Sequence, residues 1–243
     1  MINNLSIILP VYNEEIRLQE NLKKIKKFFS YKKIKKKEFI FVDDGSTDNT
    51  ANIIRTFISN NSKKKLIRLI SLKKNSGKGA ALKRGVLSAK YDWILTSDID
   101  FSVSLYELDK WMNKKYINFK KNNEAYFGSR ACAGSVVKSK FYRKFIGYVL
   151  GKLILNILKI EVMDTQCGFK LYKKKIAKLI FFKVASKGFE QDLEIVLLLK
   201  KFKIKIFELP VTWVHKKYSK VNLIHDSLNV LKNIFILKKK FRI

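Results

Sequence analysis

The chain has 243 residues, 47% of them hydrophobic, which is long and apolar enough for one α/β domain with a buried core and excludes a disordered chain. Its formal net charge is +32, so it either attracts polyanions such as nucleotides, nucleic acid and anionic lipid, or carries lysine-rich solvated faces. Two cysteines in unrelated contexts and two histidines exclude a disulfide framework and argue against a zinc site.

In the first half of the chain, predicted strands and helices alternate. Leu5–Val11 is a continuous apolar run, as in a buried parallel strand, and Glu15–Phe29 repeats apolar residues at helical spacing. The other predicted elements are strands at Phe39–Val42, Leu66–Leu72 and Trp93–Thr96, a helix from an Asp48 cap to Ile58, and a helix at Gly79–Ala89. This order predicts an α/β fold, with a mainly parallel sheet and helices on both faces.

The second half of the chain is less regular. Its predicted strands are Ala125–Arg130, Cys167–Tyr172 and Ile204–Trp213, the last broken at Pro210. Its predicted helices are Phe145–Leu158, Asp192–Lys201 and Ile224–Leu237. The first of these helices is apolar almost all round, and the last carries its apolar residues on one face. No signal peptide and no run of 18 uncharged apolar residues is visible, so the sequence predicts no spanning helix.

Three polar clusters follow predicted strands of the first half: Asn13-Glu14, Asp43-Asp44-Gly45-Ser46 and Asp98-Ile99-Asp100. Ligands of parallel α/β sheets bind beyond the carboxyl ends of the strands, so these clusters predict one shared site. Carboxylates that converge at one edge repel each other unless a cation or a ligand lies between them. The site is therefore expected to hold one.

Asp98 and Asp100 are two residues apart after a strand, so on extended backbone their carboxylates point the same way. They either share a divalent cation, Mg²⁺ or Mn²⁺, or divide between the cation and ribose hydroxyls; a solvated turn is the structural alternative. A cation there would stabilise charge on a leaving diphosphate. Asp43 and Asp44 are suited to accept hydrogen bonds from a base edge or a ribose. Lys78 either reaches a diphosphate or lines the cleft.

Four motifs, in this order, resemble glycosyltransferase family 2: Pro10–Glu14, Val42–Asp48, the turn Gly77-Lys78-Gly79, and Asp98-Ile99-Asp100. Three later segments are similar to dolichyl-phosphate β-glucosyltransferases and their prokaryotic relatives, and more loosely to dolichyl-phosphate mannose synthases: Gly128–Arg130, Asp164–Tyr172, and Trp213 with Ser219-Lys220-Val221. The resemblance implies one GT-A domain over residues 1–243. It also implies a nucleotide-sugar-binding half at residues 1–130 and an acceptor-binding half at residues 131–243.

The resemblance further implies the roles of individual residues. The nucleotide-sugar pocket would contain Pro10, Tyr12, Glu14, Val42, Asp43, Asp44, Ser46 and Lys78, and the diphosphate and metal would be bound by Asp98, Ile99 and Asp100. The acceptor phosphate would be bound by Arg130, Arg143, Ser219 and Lys220, since the arginine fork suits phosphate oxygens. For Arg143, a surface salt bridge is the alternative. Ser102 stands where the mannose synthases have a Gln that touches the metal, which leaves a third protein ligand open.

The implied reaction is inverting transfer of a hexose, with glucose from UDP-glucose favoured, to a polyprenyl or dolichyl phosphate. Such an acceptor is already an anionic nucleophile, so positioning by Asp100 and Arg130 takes the place of a strong base. A hydroxyl of a cell-surface polysaccharide or glycan as acceptor would need a base instead, for which Asp192 is the candidate. The structural alternative for Asp192 is a carboxylate favoured by a helix dipole.

The predicted helices at residues 145–158 and 224–237 either lie in a membrane interface, with lysines on anionic head groups, or pack against the sheet. Relatives carry an N-terminal anchor or C-terminal spanning helices that are not visible here, which implies a peripheral enzyme at the cytoplasmic face of a membrane. A nucleic-acid-binding module is not expected, because the chain has no recognisable basic-aromatic motif and the acidic edge would repel a polyanion.

Overall fold

The computed structural model of the chain describes residues 2–138, 151–188, 190–216 and 233–243. The strands there are β1 Asn4–Val11, β2 Lys36–Asp43, β3 Ile67–Ser71, β4 Trp93–Thr96, β5 Glu124–Ser129, β6 Val136–Lys138, β7 Lys170–Lys173, β8 Lys205–Pro210 and β9 Thr212–Val214. The helices are α1 Glu15–Phe29, α2 Thr50–Ser59, α3 Lys78–Ser88, α4 Glu107–Asn113, α5 at residues 151–158, α6 Lys174–Lys183, α7 Gln191–Lys201 and α8 at residues 233–241.

Seven of these strands form one sheet, in the order β3-β2-β1-β4-β7-β5-β8. The first four are parallel, β7 runs antiparallel to both of its neighbours, and β8 is parallel to β5. Val11 lies opposite Asp43 and Ile8 opposite Thr96, so β1, β2 and β4 end at the same edge. A smaller sheet pairs β6 with β9. The predicted α/β class with a mostly parallel sheet is confirmed.

Both faces of the main sheet are covered by helices. One core lies between the sheet and α1, α2 and α4, and the other between the sheet and α3, α5, α6, α7 and α8. Side chains of β1 alternate between them: Ile7 and Leu9 face the first core, and Ile8 faces the second. Burial on both faces explains why the central strands are apolar at almost every position.

The bounds of α1 and β4 agree with those predicted from the sequence, and three elements were not predicted: α4, α6 and β6. The proposed cap of α2 needs a correction. Asn49 is the N-cap residue, and Asp48 precedes it and accepts a hydrogen bond from the Thr50 N–H at 2.9 Å. The predicted strand at 167–172 begins only at Lys170.

Two predicted helices lie partly outside the described residues. Residues 151–158 of the first and 233–237 of the second are helical. Ile154 and Leu158 of the first, and Ile234 and Leu237 of the second, are buried in the second core. Within the described ranges, no helix combines the length and the apolarity that crossing a bilayer requires.

Candidate active site

The loops that follow β1 and β2 are tied to each other at the carboxyl edge of the sheet. Asn13 has a φ of 52°, and its side-chain oxygen accepts from the Thr47 N–H at 2.8 Å. The Asn13 N–H donates to Ser46 Oγ at 2.9 Å, and the Glu14 N–H donates to Thr50 Oγ1 at 2.7 Å. Ser46, predicted to contact the donor, therefore also holds the loop in place.

Asp44 shapes the turn that leads into α3. Its two carboxylate oxygens accept from the N–H groups of Ser76 and Gly77, both at 2.8 Å. Burial raises the pKa of Asp44, and the two hydrogen bonds only partly offset that effect. Gly77 has a φ of 96°, and a Cβ there would lie 2.3 Å from the Lys187 carbonyl oxygen, so only glycine fits. This turn positions Lys78 at the carboxyl edge of the sheet.

Asp98 pairs with Lys78 at the end of β4. The Lys78 Nζ lies 2.6 Å from Asp98 Oδ1, and the Asp98 side chain is still 42% exposed to the cleft. Burial raises the pKa of Asp98, but Lys78 outweighs this effect and the pKa is lowered. The backbone of Gly168 closes the other side, since a Cβ there would lie 2.4 Å from Asp98 Oδ2.

Asp100 lies next to Asp98 in a tight turn, in which Phe101 has a φ of 48°, and not on the extended backbone predicted from the sequence. Its Oδ1 accepts from the Ser102 N–H at 2.9 Å. Burial and the neighbouring Asp98 raise the pKa of Asp100. The predicted carboxylate pair is thus assembled at one edge of the sheet.

Arg17, in the first turn of α1, was missed by the sequence analysis. Its Nε and NH2 groups donate to the Glu14 carboxylate, the second at 2.6 Å, and its NH1 lies 3.9 Å from Asp100 Oδ2. Glu14, which was predicted to contact the nucleotide, is therefore ion-paired with Arg17. The i, i+3 spacing of Glu14 and Arg17 at a helix start is the sequence signal for this pair.

Arg130 is bound by Asp164. Its backbone N–H and its Nε donate to Asp164 Oδ2 at 2.8 and 2.7 Å, and its NH2 donates to Oδ1 at 2.8 Å. The guanidinium also lies 5.8 Å from the ring centre of Trp213. Burial raises the pKa of Asp164, but Arg130 outweighs it, so the pKa is lowered.

Asp192, at the start of α7, forms a buried ion pair with Lys170 of β7. The side chains are 5% and 2% exposed. Asp192 and Asp98 both act on Lys78: burial lowers the pKa of Lys78, and the two carboxylates raise it above its ordinary value. Lys78 and Lys170 therefore balance the carboxylates of Asp98 and Asp192.

The remaining predicted residues fall into three groups. Pro10 and Tyr12 lie partly exposed at the end of β1. The side chains of Val42 and Ile99 are buried in the two cores, and Asp43 is buried with Oδ1 accepting from the Ser46 N–H at 3.1 Å. Arg143, Ser219 and Lys220 lie outside the described residues.

Considering the described residues alone, no three His, Cys, Asp or Glu side chains gather as a metal-binding group. Asp98 and Asp100 would hold a cation only together with ligand or water oxygens.

The sequence matches the family model described as Glycosyl transferase family 2 over residues 6–181. It is 32% identical over 244 residues to a dolichyl-phosphate beta-glucosyltransferase from Dictyostelium discoideum, covering 98% of this chain and 74% of that protein. A protein of the same name from Saccharomyces cerevisiae is 29% identical over 249 residues, covering 98% of this chain and 75% of that one.

Solved structures show the same fold. Glucosyl-3-phosphoglycerate synthase from Mycobacterium tuberculosis, in complex with Mn²⁺, UDP and glucosyl-3-phosphoglycerate, superposes with a TM-score of 0.67. The two sequences are 16% identical, and the match covers 99% of this chain and 81% of that chain. The shared architecture is the GT-A fold.

Proposed function

The chain belongs to glycosyl transferase family 2, and from that premise we propose that it transfers glucose from UDP-glucose to the phosphate of dolichol or another polyprenol. The observation that carries this proposal is the edge of the sheet, where Asp98 and Asp100 lie beside Lys78 and Arg17. Such an edge suits a diphosphate, since cations meet its oxygens and carboxylates meet a metal or a ribose. The named relatives support glucose as the sugar and dolichyl phosphate as the acceptor.

Mg²⁺ or Mn²⁺ is the cofactor of this proposal, and the residues present fit it. Asp98 and Asp100 offer carboxylate oxygens at one edge, and the Asp98 carboxylate is open to the cleft. Two carboxylates with phosphate oxygens and water are a common set for Mg²⁺. When bound, the cation would neutralise charge on the leaving diphosphate. The complex of the mycobacterial enzyme with Mn²⁺ and UDP supports this choice.

The protein groups then act by position and charge. In this proposal Lys78, at the start of α3, binds diphosphate oxygens, and Asp44 fixes the turn that precedes it. A lipid phosphate is an anion and attacks the anomeric carbon without losing a proton, so inversion needs no general base. In this proposal Arg130, which is held by Asp164 and lies 5.8 Å from the ring centre of Trp213, orients that phosphate.

The buried Lys170–Asp192 pair favours the phosphate acceptor over the alternative acceptor, a glycan hydroxyl. A hydroxyl acceptor would need a base within hydrogen-bond reach of its proton. Asp192 is the candidate, but its side chain is 5% exposed and is bound to Lys170. An anionic acceptor removes the need for it.

We assign the acceptor side of the reaction to residues 131–243 and place it at a membrane. Leu153 of α5 and Phe235 and Ile236 of α8 are exposed apolar side chains, and the exposed lysines Lys238 and Lys239 follow in α8. Apolar side chains with adjacent lysines suit the interface of an anionic membrane. A peripheral position on the cytoplasmic face, with the donor half at residues 1–130, completes the proposal.

The test is transfer of labelled glucose from UDP-glucose into an organic-extractable product, with polyprenyl phosphate and Mg²⁺ or Mn²⁺. We expect transfer in the wild type, none after chelation, and a loss of roughly 100-fold or more in Asp100→Asn, since transition-state charge stabilisation is worth that much. Asp92→Asn is the control, because Asp92 is exposed and lies before β4, at the other end of that strand.

Two outcomes would contradict the proposal. Equal transfer from GDP-mannose or UDP-N-acetylglucosamine would overturn the choice of donor. Transfer to a glycan hydroxyl in place of the lipid phosphate, abolished by Asp192→Asn, would overturn the choice of acceptor.

A further inference from the structure

Arg17 holds a place in the site to which no motif assigns a role. Two of its guanidinium nitrogens are bound to Glu14, and the third, NH1, is directed towards Asp100 Oδ2 at 3.9 Å. NH1 is shielded from solvent and has no hydrogen-bond partner within the described part of the chain. An unsatisfied buried donor is costly, so the arrangement leaves this N–H ready for an anionic oxygen.

Lys78 is the cation next to Asp98, as Arg17 is the cation next to Asp100, but it lies closer to its carboxylate. Its Nζ is 2.6 Å from Asp98 Oδ1 and donates a charge-assisted hydrogen bond. The negative charges of Asp192 and Asp100 also attract Lys78. In the molecule without ligand, Lys78 is therefore paired with Asp98, and Arg17 lies next to Asp100.

A divalent cation that binds without a nucleotide lies close to these two positively charged side chains. At Asp98 it would compete with Lys78 for the same carboxylate, and at Asp100 it would lie near NH1 of Arg17. Like charges a few ångströms apart repel each other, even in partly solvated clefts. A diphosphate changes this balance, because its oxygens provide new acceptors for the Lys78 and Arg17 N–H groups.

We propose that Lys78 and Arg17 are counter-cations of the carboxylate pair, and that they make binding of the divalent cation depend on binding of a nucleoside diphosphate. The inference rests on the proposed function and adds to it a new role for Arg17 and an order of binding. Because the coupling is a free energy shared by two sites, it acts equally in both directions. Lys78 and Arg17 act through the carboxylates and the diphosphate, so they are positioning residues.

The test measures Mn²⁺ binding, without acceptor or turnover, from the electron paramagnetic resonance signal of free Mn²⁺. For the wild type we expect UDP to tighten Mn²⁺ binding by roughly 5- to 150-fold, the usual range of such couplings. UMP, which lacks the second phosphate, should have a much smaller effect. In Lys78→Met, Mn²⁺ affinity without nucleotide should rise at least about fivefold, since unit charges 4 Å apart repel measurably even in bulk water.

A rise in metal affinity separates this role from a structural one, since damage to the site would lower it. Lys83→Met is the matched control: Lys83 lies in the same helix, and its Nζ donates to the carbonyls of Phe182 and Val184. For Arg17 the variant is Arg17→Lys, which keeps a partner for Glu14. It cannot reach both carboxylates as the guanidinium does, so metal affinity without UDP should rise.

The outcomes also separate this inference from the proposed function. If the wild type binds no Mn²⁺ even with UDP, both are overturned. If UDP tightens Mn²⁺ binding but Lys78→Met and Arg17→Lys leave the affinity without nucleotide unchanged, only the role of the two counter-cations is overturned.

Discussion

Lys170 and Asp192 form an ion pair that is almost completely buried beneath the acidic edge of the sheet. Lys170 also lies 5.1 Å from the ring centre of Phe127, so it is enclosed by protein on several sides. Two charges in such a place are tolerated only because each neutralises the other. Removal of one therefore leaves the other without compensation.

We expect Asp192→Ala to lower the free energy of unfolding by about 3–5 kcal/mol, because Lys170 stays buried and unpaired. The double variant Lys170→Met with Asp192→Leu should lose much less, since apolar side chains of similar volume replace both charges. Urea denaturation followed by circular dichroism measures both values.

The exposed pair Lys24–Glu20 is the control for this prediction. Its side chains are 37% and 77% exposed, so Glu20→Ala should cost less than about 1 kcal/mol. A loss in Asp192→Ala as small as that in Glu20→Ala would show that the buried pair does not stabilise the fold.

The spacing of acidic residues after strands was sufficient to predict that these residues meet at one edge of the sheet, but not how their charges pair. Asp98 and Asp100 follow a strand, so their common edge could be predicted. The partners Asp164 of Arg130 and Asp192 of Lys170 are 34 and 22 residues away, and only the fold brings them together. The pair of Arg17 and Glu14 was also missed, although its i, i+3 spacing is visible in the sequence.

At the scale of elements, the contact between α3 and β1 depends on a glycine. Gly85 faces the sheet, and a Cβ there would lie 2.4 Å from Ile8 Cγ2 and 2.9 Å from Val42 Cγ2. In α5, Gly151 has no atom within 4 Å of a Cβ position. Replacing glycine with alanine should therefore change the stability of the protein in opposite directions at these two positions.

We expect Gly85→Ala to destabilise the protein by about 1–3 kcal/mol, because the added methyl group overpacks the core. Gly151→Ala should stabilise it by about 0.4–1 kcal/mol, because alanine restricts the unfolded chain and favours a helix. Thermal unfolding of the two variants and the wild type under one set of conditions gives the comparison. Two shifts of the same sign would contradict the packing argument.

Elements with a clear apolar pattern were predicted well, and those without one were not. α1 has the predicted bounds because it places its buried side chains at helical spacing. α4 has seven residues, too few for a periodic pattern, and α6 follows β7 directly with no glycine or proline to mark the change. The antiparallel insertion of β7 between β4 and β5 depends on long-range pairing that periodicity does not encode.

At the scale of the whole molecule, the net charge of +32 and the exposed apolar residues point to the same partner. The acidic groups of the site are matched by Lys78, Arg17, Arg130 and Lys170, so most of the excess lysine lies elsewhere. Each lysine near an anionic bilayer contributes about 1 kcal/mol. The molecule is therefore expected to collect at such a surface before it meets the proposed lipid acceptor.

We expect the protein to sediment with vesicles that contain phosphatidylserine and to remain in solution with vesicles of phosphatidylcholine alone. Raising NaCl from about 0.1 M to about 1 M shortens the Debye length from ~10 Å to ~3 Å and should weaken the binding strongly.

Replacing Phe235 and Ile236 with Ser should weaken the vesicle binding that remains at high salt, because their exposed side chains supply apolar contact. Ile16→Ser is the control, since Ile16 is 82% exposed in α1 on the opposite face of the sheet. Vesicle binding that does not change with salt or with lipid charge would contradict the electrostatic attraction. An equal loss of binding in Ile16→Ser would contradict the assignment of α8 to the membrane.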